Sequence, residues 1–145
     1  GEALSLAAAI ATIDKMRRLP IIDRLWQAGD TLVTGAEKRI AAHGLTDCMS
    51  FGGLAPWKVI AFNDHAQASK DAVKTLFIRE MLQNGVLINS SHNVTATLGE
   101  GEIQTVLHAY DKTLKVIAEE LERGDLDHRL GNDIIRPIFS VRAAP

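Results

Sequence analysis

Few of the 145 residues carry side chains able to do chemistry, and they are scattered. The densest polar cluster is Ser90-Ser91-His92-Asn93. It sits in the polar stretch from Asn89 to Ala96, between an apolar segment and a helix start, where binding groups commonly project. The same residues also suit a loop that satisfies its own backbone. Thr97-Leu98-Gly99-Glu100 follows with capping-box spacing: the threonine hydroxyl can accept a helix N–H and the glutamate can reach back to the threonine N–H. Glu100 therefore has a structural task, with a substrate-facing role as its alternative.

Other constellations are missing from the sequence. The five histidines (His43, His65, His92, His108, His128) form no H-x-x-x-H pair, and a single cysteine rules out C-x-x-C. Asp125-Leu126-Asp127-His128 is too crowded to suggest a metal site. There is no G-x-S-x-G elbow, no G-x-x-x-x-G-K-[ST] loop and no G-x-G-x-x-G fingerprint, and Gly52-Gly53 is better explained as a turn. Cys48 opens an apolar strand without a basic neighbour to stabilise a thiolate, so it is expected to pack in the core. Trp26 and Trp57 occupy apolar positions of a helix and a strand, where core packing is expected over ligand stacking.

Composition narrows the class. With 16 Lys+Arg against 18 Asp+Glu the net charge is -2, which offers no electrostatic footprint for nucleic acid or an anionic membrane. Hydrophobic residues at 46% and charged residues at 23% are values of a folded domain, and this length suffices for a core without disulfides or a structural metal. The longest apolar run, Ala3 to Ile13, is shorter than a membrane span and is preceded by Glu2 instead of basic residues. A cytoplasmic protein is expected, with no membrane or nucleic-acid partner.

The elements that must position the polar cluster follow from periodicity. Ala3–Leu19 is apolar almost all round, which suits a helix buried on most faces. A second helix runs from Pro20 to about Ala42 and stops at His43-Gly44, with Gly29 and Gly35 weakening it. Cys48–Phe51 and Trp57–Phe62 form a hairpin across Gly52–Pro56. A helix capped by Asp64 or Ser69 carries Val73, Leu76, Phe77, Met81 and Leu82 and stops at Gly85; Val86–Ile88 is a third short strand. The last helix carries Ile103, Val106, Leu107, Tyr110, Leu114, Ile117 and Leu121 on one stripe and ends at Gly124. Ile134–Arg142 is read as an edge strand interrupted by Pro137. The fold class expected is α/β (α+β): a small three-stranded, mainly antiparallel sheet covered by helices, in the order α-α-β-β-α-β-α with a C-terminal tail.

The opening Gly1-Glu2-Ala3-Leu4-Ser5-Leu6-Ala7-Ala8-Ala9-Ile10-Ala11 resembles the segment G-N-P-[LV]-[AS]-x-A-A-[AG] that follows the T-[FY]-[GS]-G motif of class III (fold type I) pyridoxal-phosphate aminotransferases. Gly85-Val86-Leu87-Ile88-Asn89-Ser90-Ser91-His92 and Glu100-Gly101-Glu102-Ile103 are similar to that family's G-[VI]-x-x-x-x-S-x-x-H-[ST]-x-[ED]-D-I region, the glutamate-1-semialdehyde aminomutase branch most of all. Arg136-Pro137-Ile138-Phe139 resembles its R-P-[VI]-F. Glu2, Ala3 and Gly99 depart from the asparagine, proline and threonine usual at those places.

The resemblance implies the C-terminal small domain of a larger enzyme that moves an amino group through a Schiff base on pyridoxal 5'-phosphate, with the cofactor and its lysine on a large domain upstream of Gly1. It implies residues 1–124 as that small domain, with helices 2–43 packed on the large domain, and 125–145 as a tail. A homodimer and small-molecule amino donors and acceptors are implied as well. This chain would supply part of the active-site wall, with no catalytic residue and no cofactor of its own. Gly1 would lie beside the cofactor-phosphate loop, and Ser91, His92 and Glu100 would line the substrate cleft. The sequence opens without methionine, as expected either of a processed chain or of a piece of something longer. The reading that competes with it is an autonomous binding or protein-interaction module without catalysis. The first helix separates the two: an internal segment exposes apolar residues that this chain cannot cover alone, whereas a self-contained module buries Leu4, Leu6, Ile10 and Ile13.

Overall fold

The computed structural model describes residues 2–136. Its elements are α1 (Ala3–Arg18), α2 (Ile21–Ala42), β1 (Met49–Leu54), β2 (Trp57–Phe62), α3 (Lys70–Gln83), β3 (Ser91–Asn93), α4 (Glu100–Arg123) and α5 (Leu126–Leu130), followed by a 3-10 turn at Gly131–Asp133. The core forms around α4. Ile103, Leu107, Tyr110, Leu114, Ile117 and Leu121 recur at helical spacing and are all buried, with Val106 half-buried beside them. That stripe packs against α2 through Leu32, Ala36 and Ile40 and against α3 through Val73, Leu76, Phe77 and Met81. Burying each large side chain contributes on the order of 1.5–3 kcal/mol. Leu126, Leu130 and Ile134 join the same buried cluster; Pro137 onward, with most of the expected last strand, lies outside the described residues.

The sheet has the order β1-β2-β3 and is antiparallel throughout. It is a small α+β domain with the expected order of elements. Leu54 pairs with Trp57, so the hairpin turns on Ala55-Pro56, and Gly52-Gly53, expected in the turn, belong to β1. The third strand is likewise not Val86–Ile88. Gly85 ends α3 in the left-handed region (φ 82°), with Gly85 N–H donating to Leu82 and Val86 N–H donating to Met81, a Schellman closure. The chain then needs a second left-handed residue, Ser90 (φ 54°), before it aligns with β2. Only Ser91–Asn93 pair there.

Both candidate caps of α3 are used: Ser69 Oγ accepts from Ala72 N–H and Asp64 Oδ1 from Lys70 N–H. The cap of α4 is displaced by two residues from its expected place. Gly99 is the N-cap and its N–H donates to Glu102 Oε2 at 3.0 Å. Thr97 Oγ1 instead bonds Thr95 Oγ1, and Glu100 Oε1 accepts from Gln104.

The glycines within α2 mark close approach. A Cβ on Gly29 would stand 2.2 Å from the Ala55 carbonyl oxygen, and one on Gly35 would stand 2.6 Å from a Leu107 methyl. The hairpin turn and α4 are thus seated directly on the helix backbone. The expectation that α1 is buried on most faces is overturned, because none of its residues is buried. Leu4 is 77% exposed, and Leu6, Ile10 and Ile13 are also exposed.

Gly29→Ala should cost about 2 kcal/mol or more, since the backbone of Ala55 must move and the roughly 1 kcal/mol of helix propensity gained does not offset that. Urea unfolding measures it, and a variant as stable as the parent would contradict the close packing. Thr113 is fully buried and its hydroxyl has no partner, so Thr113→Val should raise stability by about 1 kcal/mol in the same assay.

Candidate functional site

Alternation along the strands decides which side chains face the core. Met49, Phe51, Ile60, Phe62 and His92 are buried or half-buried on the helix side. Ser50, Gly52, Leu54, Trp57, Val59, Ala61 and Asn93 are exposed, and Ser91 is half-buried among them on the opposite face. No element of the described chain covers that outer face, so Trp57 is 64% exposed, with Leu54 and Val59 beside it. Trp26 is 43% exposed because the buried stretch of α2 begins only at Gly29. The expectation that both tryptophans pack in the core is therefore corrected. The sequence signal was available in the alternation of Trp57 and Val59 with Ile60 and Phe62, but Lys58 on the core side obscured it.

His92 is 8% exposed. Its Nε2 shares a 2.8 Å hydrogen bond with the Tyr110 hydroxyl, and its ring lies 5.8 Å from the Tyr110 ring and 6.1 Å from that of Phe51. Burial lowers the imidazole pKa from 6.5 to about 4 and raises that of the Tyr110 phenol. At neutral pH both groups are uncharged and bound to each other. The pair fastens β3 to α4, and it leaves Nε2 no freedom to exchange protons with a substrate. Cys48 is buried, its thiol pKa raised chiefly by that burial, and its S–H donates to the Leu45 carbonyl at 3.5 Å; its chemistry is that of a core residue.

Ser91 and His92 share a groove of about 540 Å³ with Leu32, Val86, Ile88 and Val106. Glu100 is exposed and lines a separate hollow of about 220 Å³ with Arg24, Gln27 and Thr31. Leu98 borders both. The structure thus brings Ser91 and His92 together and sets Glu100 on the far side of Leu98. Gly1 lies outside the described residues. Among the described residues no three His, Cys, Asp or Glu side chains converge on one point, and no helix is long and apolar enough to cross a membrane.

A pyridoxal-phosphate Schiff base needs a lysine held in a desolvated pocket. Lys15, Lys38, Lys70, Lys112 and Lys115 are exposed and Lys58 and Lys74 are half-buried. These residues do not fit that group, and no step through it is assigned to them.

A further charged contact holds the C-terminal end. Glu120 is buried and pairs with Arg123 and Arg129, which joins α5 to α4. The hydrogen bond from Arg129 lowers its carboxyl pKa. His92 and Glu120 both have depressed folded-state values, so both stabilise the fold above their ordinary values and cease to as the pH falls. For His92 the window runs from pH 6.5 down to about 4 and is worth roughly 3 kcal/mol. Urea midpoints measured across it should fall with pH in the parent and flatten in His92→Leu; parallel profiles would contradict the buried neutral imidazole. Tyr110→Phe leaves Nε2 without its partner and should cost about 1–3 kcal/mol in the same assay.

No protein-family model matches the chain, and no curated protein does. Solved structures do. The FumI protein of Sphingopyxis sp. MTA144, solved in its PLP internal aldimine form, superposes with a TM-score of 0.70 at 25% identity over 83% of this chain and 28% of its own. A transaminase with PLP bound superposes with a TM-score of 0.63 at 22% identity over 69% of this chain and 24% of its own. This chain spans about a quarter of the length of each, 28% of the first and 24% of the second. Its fold is that of one part of pyridoxal-phosphate transaminase chains, an aminotransferase-like domain.

Proposed function

We propose that this chain is the C-terminal small domain of a larger class III pyridoxal-phosphate aminotransferase or aminomutase, acting on small-molecule amino donors and acceptors as a cytoplasmic homodimer. The observation that carries the reading is the uncovered apolar surface on a domain that matches only part of transaminase chains. A helix of 16 residues without buried side chains is marginal in water. Seating Leu4, Leu6, Ile10 and Ile13 on a partner surface supplies on the order of 1.5–3 kcal/mol for each fully buried side chain. The open sheet face with Leu54, Trp57 and Val59 is a second apolar surface for the same large domain.

On this reading the sheet forms a wall of the active-site cleft, and the cofactor is held by the rest of the protein. Ser91, on the open face, and Glu100, at the start of α4, are the residues placed along the cleft. His92 stands behind Ser91 and holds its strand in place, and Gly1 belongs to the junction with the cofactor-phosphate loop. Resemblance to the glutamate-1-semialdehyde aminomutase branch favours the wall role for Glu100.

The test is the full-length protein that contains these residues. It should bind pyridoxal phosphate, transfer an amino group, and after borohydride reduction carry the cofactor on a lysine outside residues 1–145. An adduct on a lysine of this chain, or no binding at all, would overturn the proposal. Replacing Leu6 and Ile10 together with aspartate should leave the urea stability of the 145-residue chain within about 0.5 kcal/mol while preventing assembly of the full-length protein. Loss of stability in the isolated chain would mean that α1 already has its partner.

A further inference from the structure

The outer edge of the sheet offers more than side chains. Ile60 N–H donates to the Ser90 carbonyl and Val94 N–H to the Pro56 carbonyl. In the register Lys58↔His92 these bonds place Ser90, His92 and Val94 as the positions that exchange hydrogen bonds with β2. The alternating pattern of an antiparallel ladder then turns the N–H and C=O groups of Ser91 and Asn93 away from β2, toward the free edge. β3 is the last strand of the sheet, and among the described residues these four backbone groups have no hydrogen-bond partner. They open onto the groove of about 540 Å³ whose other walls are Leu32, Val86, Ile88, Leu98 and Val106.

Two free donors and two free acceptors, two residues apart on an extended strand, span about 7 Å. An extended polypeptide matches that repeat with its own backbone. The apolar walls suit the alternate side chains that such a segment points to one side. An edge left bare in this way is normally blocked by a charge or a proline, yet Ser91 and Asn93 are neither. The groove is lined, besides the edge itself, by Val86–Asn89 from before β3 and by Leu98 and Val106 from after it. A recess of about 540 Å³ matches the side chains of one extended segment and not the edge of a second folded copy. We infer that β3 is a strand-docking site: an extended segment with alternating apolar residues adds to the sheet along Ser91–Asn93 and places one apolar side chain among Leu32, Val86, Ile88, Leu98 and Val106. This inference stands on the hydrogen-bond register and not on the aminotransferase reading.

The test is an NMR titration of the chain with an acetylated, amidated pentapeptide of alternating valine and threonine, and with the same peptide N-methylated at its alternate amides. The inference predicts saturable shifts centred on the Ser91 and Asn93 amides and affinity at least about tenfold lower for the methylated peptide, the cost of the lost hydrogen bonds. Asn93→Pro removes only an outward N–H, and proline is tolerated on a strand edge that faces solvent. It should abolish those shifts while the Tyr110 and Phe77 ring signals stay in place. Shifts centred on Trp57 and Val59, equal binding of the methylated peptide, or no saturable change would each overturn the inference. Concentration-dependent protection of the Ser91 and Asn93 amides without peptide would also overturn it, by making a second copy the occupant.

Discussion

The fold depends on the burial of one amphipathic ring. Tyr110 is fully enclosed at the middle of α4. Its ring contacts Phe77 of α3 at 5.5 Å and Phe51 of β1 at 6.5 Å, while its hydroxyl is satisfied by His92 of β3. A buried hydroxyl without a partner costs about 1–3 kcal/mol, so the tyrosine requires that a polar group reach it. His92 can reach it only if β3 runs where it does. Three secondary-structure elements are thereby tied to one position of α4, and the left-handed turn at Ser90 is the backbone conformation that delivers His92 there.

This arrangement leaves the molecule one-sided. All the helical packing falls on the inner face of the sheet, around α4, and nothing in the described chain covers the outer face or α1. A strained corner at Ser90, with its hydroxyl buried and unpartnered, lies next to the strand whose outward edge is free. Backbone strain of this kind persists only where the surroundings enforce it, and here the surroundings are the His92–Tyr110 pair on one side and β2 on the other. The polar cluster that stood out in the sequence is thus divided between two tasks. His92 faces inward and holds the strand, while Ser91 and Asn93 face outward and remain available.

Much of this was legible from residue types. The stripe on α4 and the stops at Gly44, Gly85 and Gly124 could be read because each is a local property: helical periodicity in one case, and in the other a positive φ that glycine adopts without cost. The order of elements followed from the same signals. The third strand could not be placed, since three residues are too few to show a period and the positive φ falls on a serine, which gives no sign of it. The N-cap at Gly99 was hidden because its reciprocal bond comes from Glu102, two residues beyond the spacing that Thr97 suggested. Exposure of Trp57 was obscured by Lys58, which puts a charge on the core side of β2, and exposure of Trp26 because its helical spacing continues the apolar stripe that is buried only from Gly29 onward. The link between His92 and Tyr110 is a tertiary contact, foreshadowed only by the need of a buried tyrosine for a hydrogen-bond partner.

The central claim is that the core is self-sufficient around Tyr110 whereas α1 packs none of its side chains against it. Native-state hydrogen exchange on the 145-residue chain tests it most directly. Amides of α4 around Tyr110 should exchange only through global unfolding, and those of Ala3–Arg18 should exchange with little protection, as for an isolated helix. Protection of α1 equal to that of α4 would show that its apolar face is already covered, and the account would be wrong.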